Sequence, residues 1–154
     1  MPKKTGKGFA FRPFSHKQLQ LMYWWENGSP YCDMNMVIAD GAIRSGKTVA
    51  MICGFFLWSL STFEGENFIL AGKTIGALKK NVIDPALQIL RGWGRPFTYV
   101  SSGDEARLEV GTNTYYLYDA HNERSQDRLQ GLTAAGALAD EVALFPQNFI
   151  EQIR

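Results

Sequence analysis

The chain has 154 residues and a mass of 17.3 kDa, room for one domain with a substantial core. Hydrophobic residues make up 45% and charged residues 20%, a globular balance that argues against a disordered chain. No apolar run reaches the roughly 18 residues of a membrane-crossing helix, the N-terminus lacks a secretory leader, and Cys32 and Cys53 fit a reducing compartment but no zinc-binding spacing.

In chain order, residues 1–13 are rich in Lys, Gly and Pro and read as a flexible basic arm. The net charge of +1 conceals an asymmetry here: Lys3, Lys4, Lys7, Arg12 and Lys17 all precede the first acid, Glu26. Such an arm can touch phosphate backbones, although a solvated tail is the favoured reading. Leu19, Met22 and Tyr23 recur at helical spacing behind Ser15, a cap residue, so a helix is expected over 15–26. The apolar, partly β-branched run 34–39 predicts a buried strand. A Gly/Ser turn follows it, then a helix from Lys47 to about Ser61.

The alternation then repeats. Residues 67–72 read as a strand ending at glycine, and Thr74 as the cap of a helix through Leu78, Val82 and Leu90, bent at Pro85. Short alternating runs at 97–101, 107–110 and 114–118 predict an antiparallel meander. A brief helix over 124–129 and a strand of small residues over 136–139 complete the pattern. Strand–helix alternation in the first half predicts an α/β fold with a mostly parallel sheet covered on both faces.

Gly41-Ala42-Ile43-Arg44-Ser45-Gly46-Lys47-Thr48 matches G-x-x-x-x-G-K-[ST] at every fixed position. Gly41 and Gly46 permit backbone angles that turn successive N–H groups toward one polyphosphate. Lys47, opening a helix, adds a point charge to the dipole of the helix N-terminus. The Thr48 hydroxyl is a hard oxygen suited to Mg²⁺. At the carboxyl end of the 136–139 strand, where ligands gather in open parallel sheets, stand Asp140 and Glu141. Asp140 is suited to hold Mg²⁺ through water, and Glu141 to orient and deprotonate an attacking water. The adjacent glutamate favours water over a metabolite as acceptor, hence hydrolysis of ATP.

The run Arg128-Leu129-Gln130-Gly131-Leu132-Thr133 leading into Ala139-Asp140-Glu141 resembles the Walker B approach of phage terminase large subunits, and the Gly41–Thr48 loop and the meander resemble that family too. The resemblance covers about Phe14 to the C-terminus, giving an ATPase domain over 14–154 behind the arm. It implies a three-layer P-loop NTPase fold of the additional-strand, catalytic-glutamate type, lacking its C-terminal strands. It implies an ATP- and Mg²⁺-dependent motor that drives double-stranded DNA into a procapsid within the infected bacterial cytoplasm. Its implied partners are the portal protein, the small terminase subunit and further copies in a ring. By the same resemblance, Phe14 and Gln18 are the upstream motif that reads adenine.

Two departures stand out. Many members carry arginine three places before the second loop glycine; here that place is Ile43, with Arg44 one further on as candidate γ-phosphate sensor. The family's coupling motif and nuclease domain would lie beyond Arg154, so a piece of a larger motor is expected. A non-hydrolysing nucleotide-binding or assembly module and a helicase-like P-loop ATPase are the competing readings. Trp24, Trp25, Trp58 and Trp93 read as core rather than base-stacking residues. His16 and His121 are assigned no catalytic role, and Lys73, Lys79 and Lys80 read as a solvated helix face.

Overall fold

The computed structural model describes residues 11–42, 45–102 and 105–154. Most of the basic arm expected over 1–13 lies outside them. The elements run α1 (His16–Met22), α2 (Lys47–Thr62), β1 (Asn67–Gly72), α3 (Ile75–Leu78), a π turn (Lys79–Ile83), α4 (Asp84–Gly92), β2 (Phe97–Val100), β3 (Arg107–Val110), β4 (Asn113–Asp119), α5 (Glu123–Gln130), β5 (Gly136–Ala139), a 3₁₀ turn (Val142–Leu144) and α6 (Gln147–Gln152).

The strands form one sheet in the order β2-β3-β4-β1-β5. β1 pairs parallel with β4 and β5, while β2-β3-β4 is the expected antiparallel meander, so four of the five strands point the same way. Side chains alternate across a strand, and here they divide two cores. Phe68, Leu70, Tyr115, Leu117 and Leu138 face α2 and the α3–α4 run. Ile69, Ala71 and Tyr118 face the opposite layer, with Leu129 of α5 and Phe149 of α6. The three-layer arrangement follows.

Helix α2 is the main scaffold of the first core. Its buried face carries Ala50, Ile52, Cys53, Phe55, Phe56 and Ser59. The Phe55, Trp58 and Phe68 rings pack with centroids 5.8–6.0 Å apart. Such aromatic pairs contribute about 0.5–1.5 kcal/mol each beyond their buried area. Ser59 and Tyr115 hydroxyls meet at 2.7 Å, and buried Asn113 donates to the carbonyls of Ser59 and Phe63. Both cysteines are free; burial pushes the Cys53 thiol up to about 11, so it serves as a small apolar side chain.

One expected strand is absent. Residues 34–39 form no ladder, and Met34, Met36 and Ile38 are exposed, Ile38 by 74%. An apolar run becomes a strand only where a neighbour pairs with its N–H and C=O groups. The sheet ends at β5, which pairs on one side with β1. The α3–α4 run also differs from expectation. Its irregularity is the π turn, where Asp84 N–H reaches back five residues to Lys79 O, rather than a bend at Pro85, which sits harmlessly near the start of α4.

Helix α1 docks on α2 at Gly54. A Cβ there would stand 2.9 Å from Met22 Cα and 3.0 Å from Leu21 O, both backbone atoms that cannot swing aside. Gly54→Val is expected to destabilise the protein by about 1–3 kcal/mol through overpacking, read as a lowered midpoint in thermal or urea denaturation.

Candidate nucleotide site

The site begins with the direction of α2. Its C-terminal turns touch the amino ends of three strands: Trp58 packs on Gly136 of β5, Phe63 on Phe68 of β1, and Asn113 of β4 bonds the Ser59 and Phe63 carbonyls. Sixteen helical residues span roughly 24 Å, against roughly 13 Å for a four-residue strand. The helix shares its core with Leu70, Leu117 and Leu138 along that length, so it runs antiparallel to β1, β4 and β5. Its N-terminus, with Lys47 and Thr48, therefore lies toward the carboxyl ends of these strands, the end from which Asp140 and Glu141 emerge.

Within the loop, Gly41, Ala42, Ser45, Gly46, Lys47 and Thr48 are described; Ile43 and Arg44, the candidate sensor, lie outside the described residues. Gly46 is the N-cap of α2 with φ 76°, a left-handed angle that favours glycine. A Cβ there would also fall 2.5 Å from Gln18 Nε2. The Lys47 ammonium folds back onto its own loop, donating to the carbonyls of Gly41 and of Ala42, the latter at 3.1 Å. These acceptors are exposed backbone oxygens, which an anion can displace because water satisfies them equally well.

Gln18 reaches the loop from α1. Its side-chain oxygen accepts from Ser15 N–H at 2.8 Å, while Gln18 N–H donates to Ser15 Oγ, a complete capping box. Its amide nitrogen donates to Ser45 O at 2.8 Å. One amide proton and one lone pair remain for a ligand. Phe14, half-buried, packs against the first core and meets the Phe11 ring at 5.3 Å.

Asp140 is half-buried: its N–H donates to Ala71 O at 3.0 Å, and its Oδ2 accepts from Asn81 Nδ2 at 3.3 Å. Glu141 is exposed and has φ 56°, ψ 41°; among the described residues no other non-glycine has positive φ. Strain of this kind persists where neighbours enforce it and gathers at functional sites. Here the ladder bond at Asp140 and the 3₁₀ turn closed by Leu144 N–H to Glu141 O hold it from both sides. The described residues contain no cluster of three or more His, Cys, Asp or Glu side chains able to cage a metal. Thr48 offers a hydroxyl and Asp140 a carboxylate, each a hard oxygen of the type Mg²⁺ prefers.

Several neighbours escaped sequence reasoning. Asn81 carries no motif, and its contact depends on the π turn. Asp119, at the end of β4, accepts from Ile75 N–H and His121 N–H, and His121 Nε2 lies 3.0 Å from Leu144 O. Lys79, expected on a solvated face, bonds Ser101 O at an exposed position. The 540 Å³ depression lined by Thr74, Asp119, His121 and Arg124 lies at the carboxyl ends of β1 and β4, and none of the described loop residues lines it.

Three crystal structures of the large terminase from a thermophilic bacteriophage superpose on this fold. One has a TM-score of 0.86 with 42% sequence identity, covering 92% of this chain and 36% of that one. The chain matches part of a phage large terminase over nearly all of its own length, as a fragment of such a subunit would. A structure of the same thermophilic-phage terminase in complex with ADP gives 0.82 and 43%, covering 92% and 35%. One in complex with ATP-γ-S gives 0.80 and 39%, covering 91% and 34%. The chain thus spans about a third of the length of the terminases it matches. No family model and no curated protein matches it.

The left-handed angle at Glu141 bears directly on stability. Glu141→Gly is expected to stabilise the protein by roughly 1 kcal/mol by removing the Cβ clash, with Glu141→Gln unchanged, as read from paired urea denaturation curves.

Proposed function

We propose that this chain is the ATP-hydrolysing part of a viral DNA-packaging motor. The observation that supports this most is the common end of the sheet: α2 opens with Lys47 and Thr48 where β5 releases Asp140 and the strained Glu141. In this reading Lys47 exchanges the Gly41 and Ala42 carbonyls for the β and γ phosphates of ATP, and the loop N–H groups supply the remaining donors. Thr48 and Asp140 hold Mg²⁺, which, when bound, neutralises charge on the phosphate oxygens. Glu141 orients a water and accepts its proton as the new P–O bond forms at the γ phosphorus. The bond to the bridging oxygen breaks, and its electron pair leaves with ADP. Gln18, with its spare proton and lone pair, faces the adenine edge with Phe14, and Arg44 senses the γ phosphate.

The partners are those of the family: double-stranded DNA as the moved substrate, a portal protein, a small terminase subunit and further copies in a ring, within the infected bacterial cell. No helix among the described residues is long and apolar enough to cross a membrane. Binding without turnover is a second reading, favoured by one observation: the segment entering the loop, 34–39, joins no strand ladder, so no sheet pairing fixes the approach to the loop.

Steady-state hydrolysis and nucleotide titration separate these readings. Glu141→Gln is expected to lower turnover by about 10²–10⁴-fold with ATP affinity unchanged. Lys47→Ala is expected to weaken ATP binding by at least about tenfold, as loss of a charged hydrogen bond requires. Binding by the wild type with turnover equal to that of Glu141→Gln would leave only the second reading.

A further inference from the structure

Asp140 is fixed at two points, one of which no motif contains. Its backbone N–H continues the β1–β5 ladder onto Ala71 O. Its Oδ2 accepts a hydrogen bond from Asn81 Nδ2, 59 positions away in sequence. An ionised carboxylate only accepts, so the asparagine must present its NH₂ edge.

The placement of Asn81 depends on the π turn. Lys79–Ile83 bond one residue further back than an α-helix does, which inserts a residue and re-aims the side chains of that turn. Val82 and Ile83 go into the core, Lys79 turns to Ser101 O, and Asn81, half-buried, reaches the end of β5. Turns of this kind recur at functional sites.

We infer that Asn81 is a positioning residue for the Asp140 carboxylate, holding one oxygen so that the other is presented to the cation. This rests on the ATPase reading above. The residue type suits the task. A neutral amide restricts the carboxylate without cancelling its charge, whereas an ammonium such as that of neighbouring Lys80 would compete with a divalent ion for it.

The test uses the 154-residue chain and Mg²⁺ titrated in the presence of a fluorescent, slowly hydrolysed ATP analogue. Asn81→Ala is expected to raise the half-saturating Mg²⁺ concentration about tenfold, the low end of what loss of an outer hydrogen bond to a metal ligand costs. Affinity for the analogue without Mg²⁺ stays unchanged. In an Asp140→Ala background the same substitution has no further effect on Mg²⁺, and in ligand-free melting it lowers the midpoint only when Asp140 is present. Asn81→Leu, nearly isosteric, replaces alanine if that variant fails to fold. An unmoved Mg²⁺ midpoint, or a shift of equal size with and without Asp140, overturns the inference. A wild type that binds the analogue but ignores Mg²⁺ overturns the ATPase reading and takes this inference with it.

Discussion

The antiparallel packing of α2 on β1, β4 and β5 is the constraint from which the rest of the site follows. The Phe55–Trp58–Phe68–Tyr115 aromatic cluster and the Ser59–Tyr115–Asn113 bonds clamp the C-terminal turns of α2 to the amino ends of the strands. A helix is stiff over such a length, so fixing one end directs the other. The dipole-bearing N-terminus of α2, the loop before it and the carboxylates after β5 are brought to one edge without any direct bond between them.

Around that edge the described polar groups are restrained mainly by one another. Lys47 is occupied by its own loop carbonyls, Gln18 by a helix cap and Ser45 O, and Asp140 by Asn81. Each restraint leaves capacity for a ligand: the lysine's partners are exposed, the glutamine retains one donor and one acceptor position, and the aspartate has a second oxygen. Preorganisation of this kind lowers the ordering cost of binding, since the side chains already occupy one arrangement. Glu141 adds a different element, a backbone angle that opposes stability and that the flanking ladder bond and turn maintain.

Much of this was legible from residue order. The Ser15 cap, the α2 boundaries, the β1 strand, the Thr74 cap, the meander and β5 all depend on local periodicity and cap chemistry, and each formed as expected. The 34–39 segment did not, because a strand depends on a partner that composition does not reveal: the same β-branched residues lie exposed when no ladder meets them. Asn81 was invisible for a related reason. Its chemistry arises from a five-residue turn whose hydrogen-bond shift has no sequence signature, and from a carboxylate contributed by a distant strand. The loop and the two carboxylates were found through spacing, whereas their mutual placement came only from the helix between them.

The proposed hydrolysis requires Thr48 and Asp140 to share one divalent ion on a bound nucleotide. Mn²⁺ in place of Mg²⁺ tests it directly, because a paramagnetic ion broadens amide resonances steeply with proximity. With Mn²⁺ and ADP bound to the isotopically labelled chain, the Thr48 and Asp140 amide signals should both vanish, while that of Thr98, on the strand at the far edge of the sheet, persists. Loss of one of the pair with full retention of the other would contradict the account.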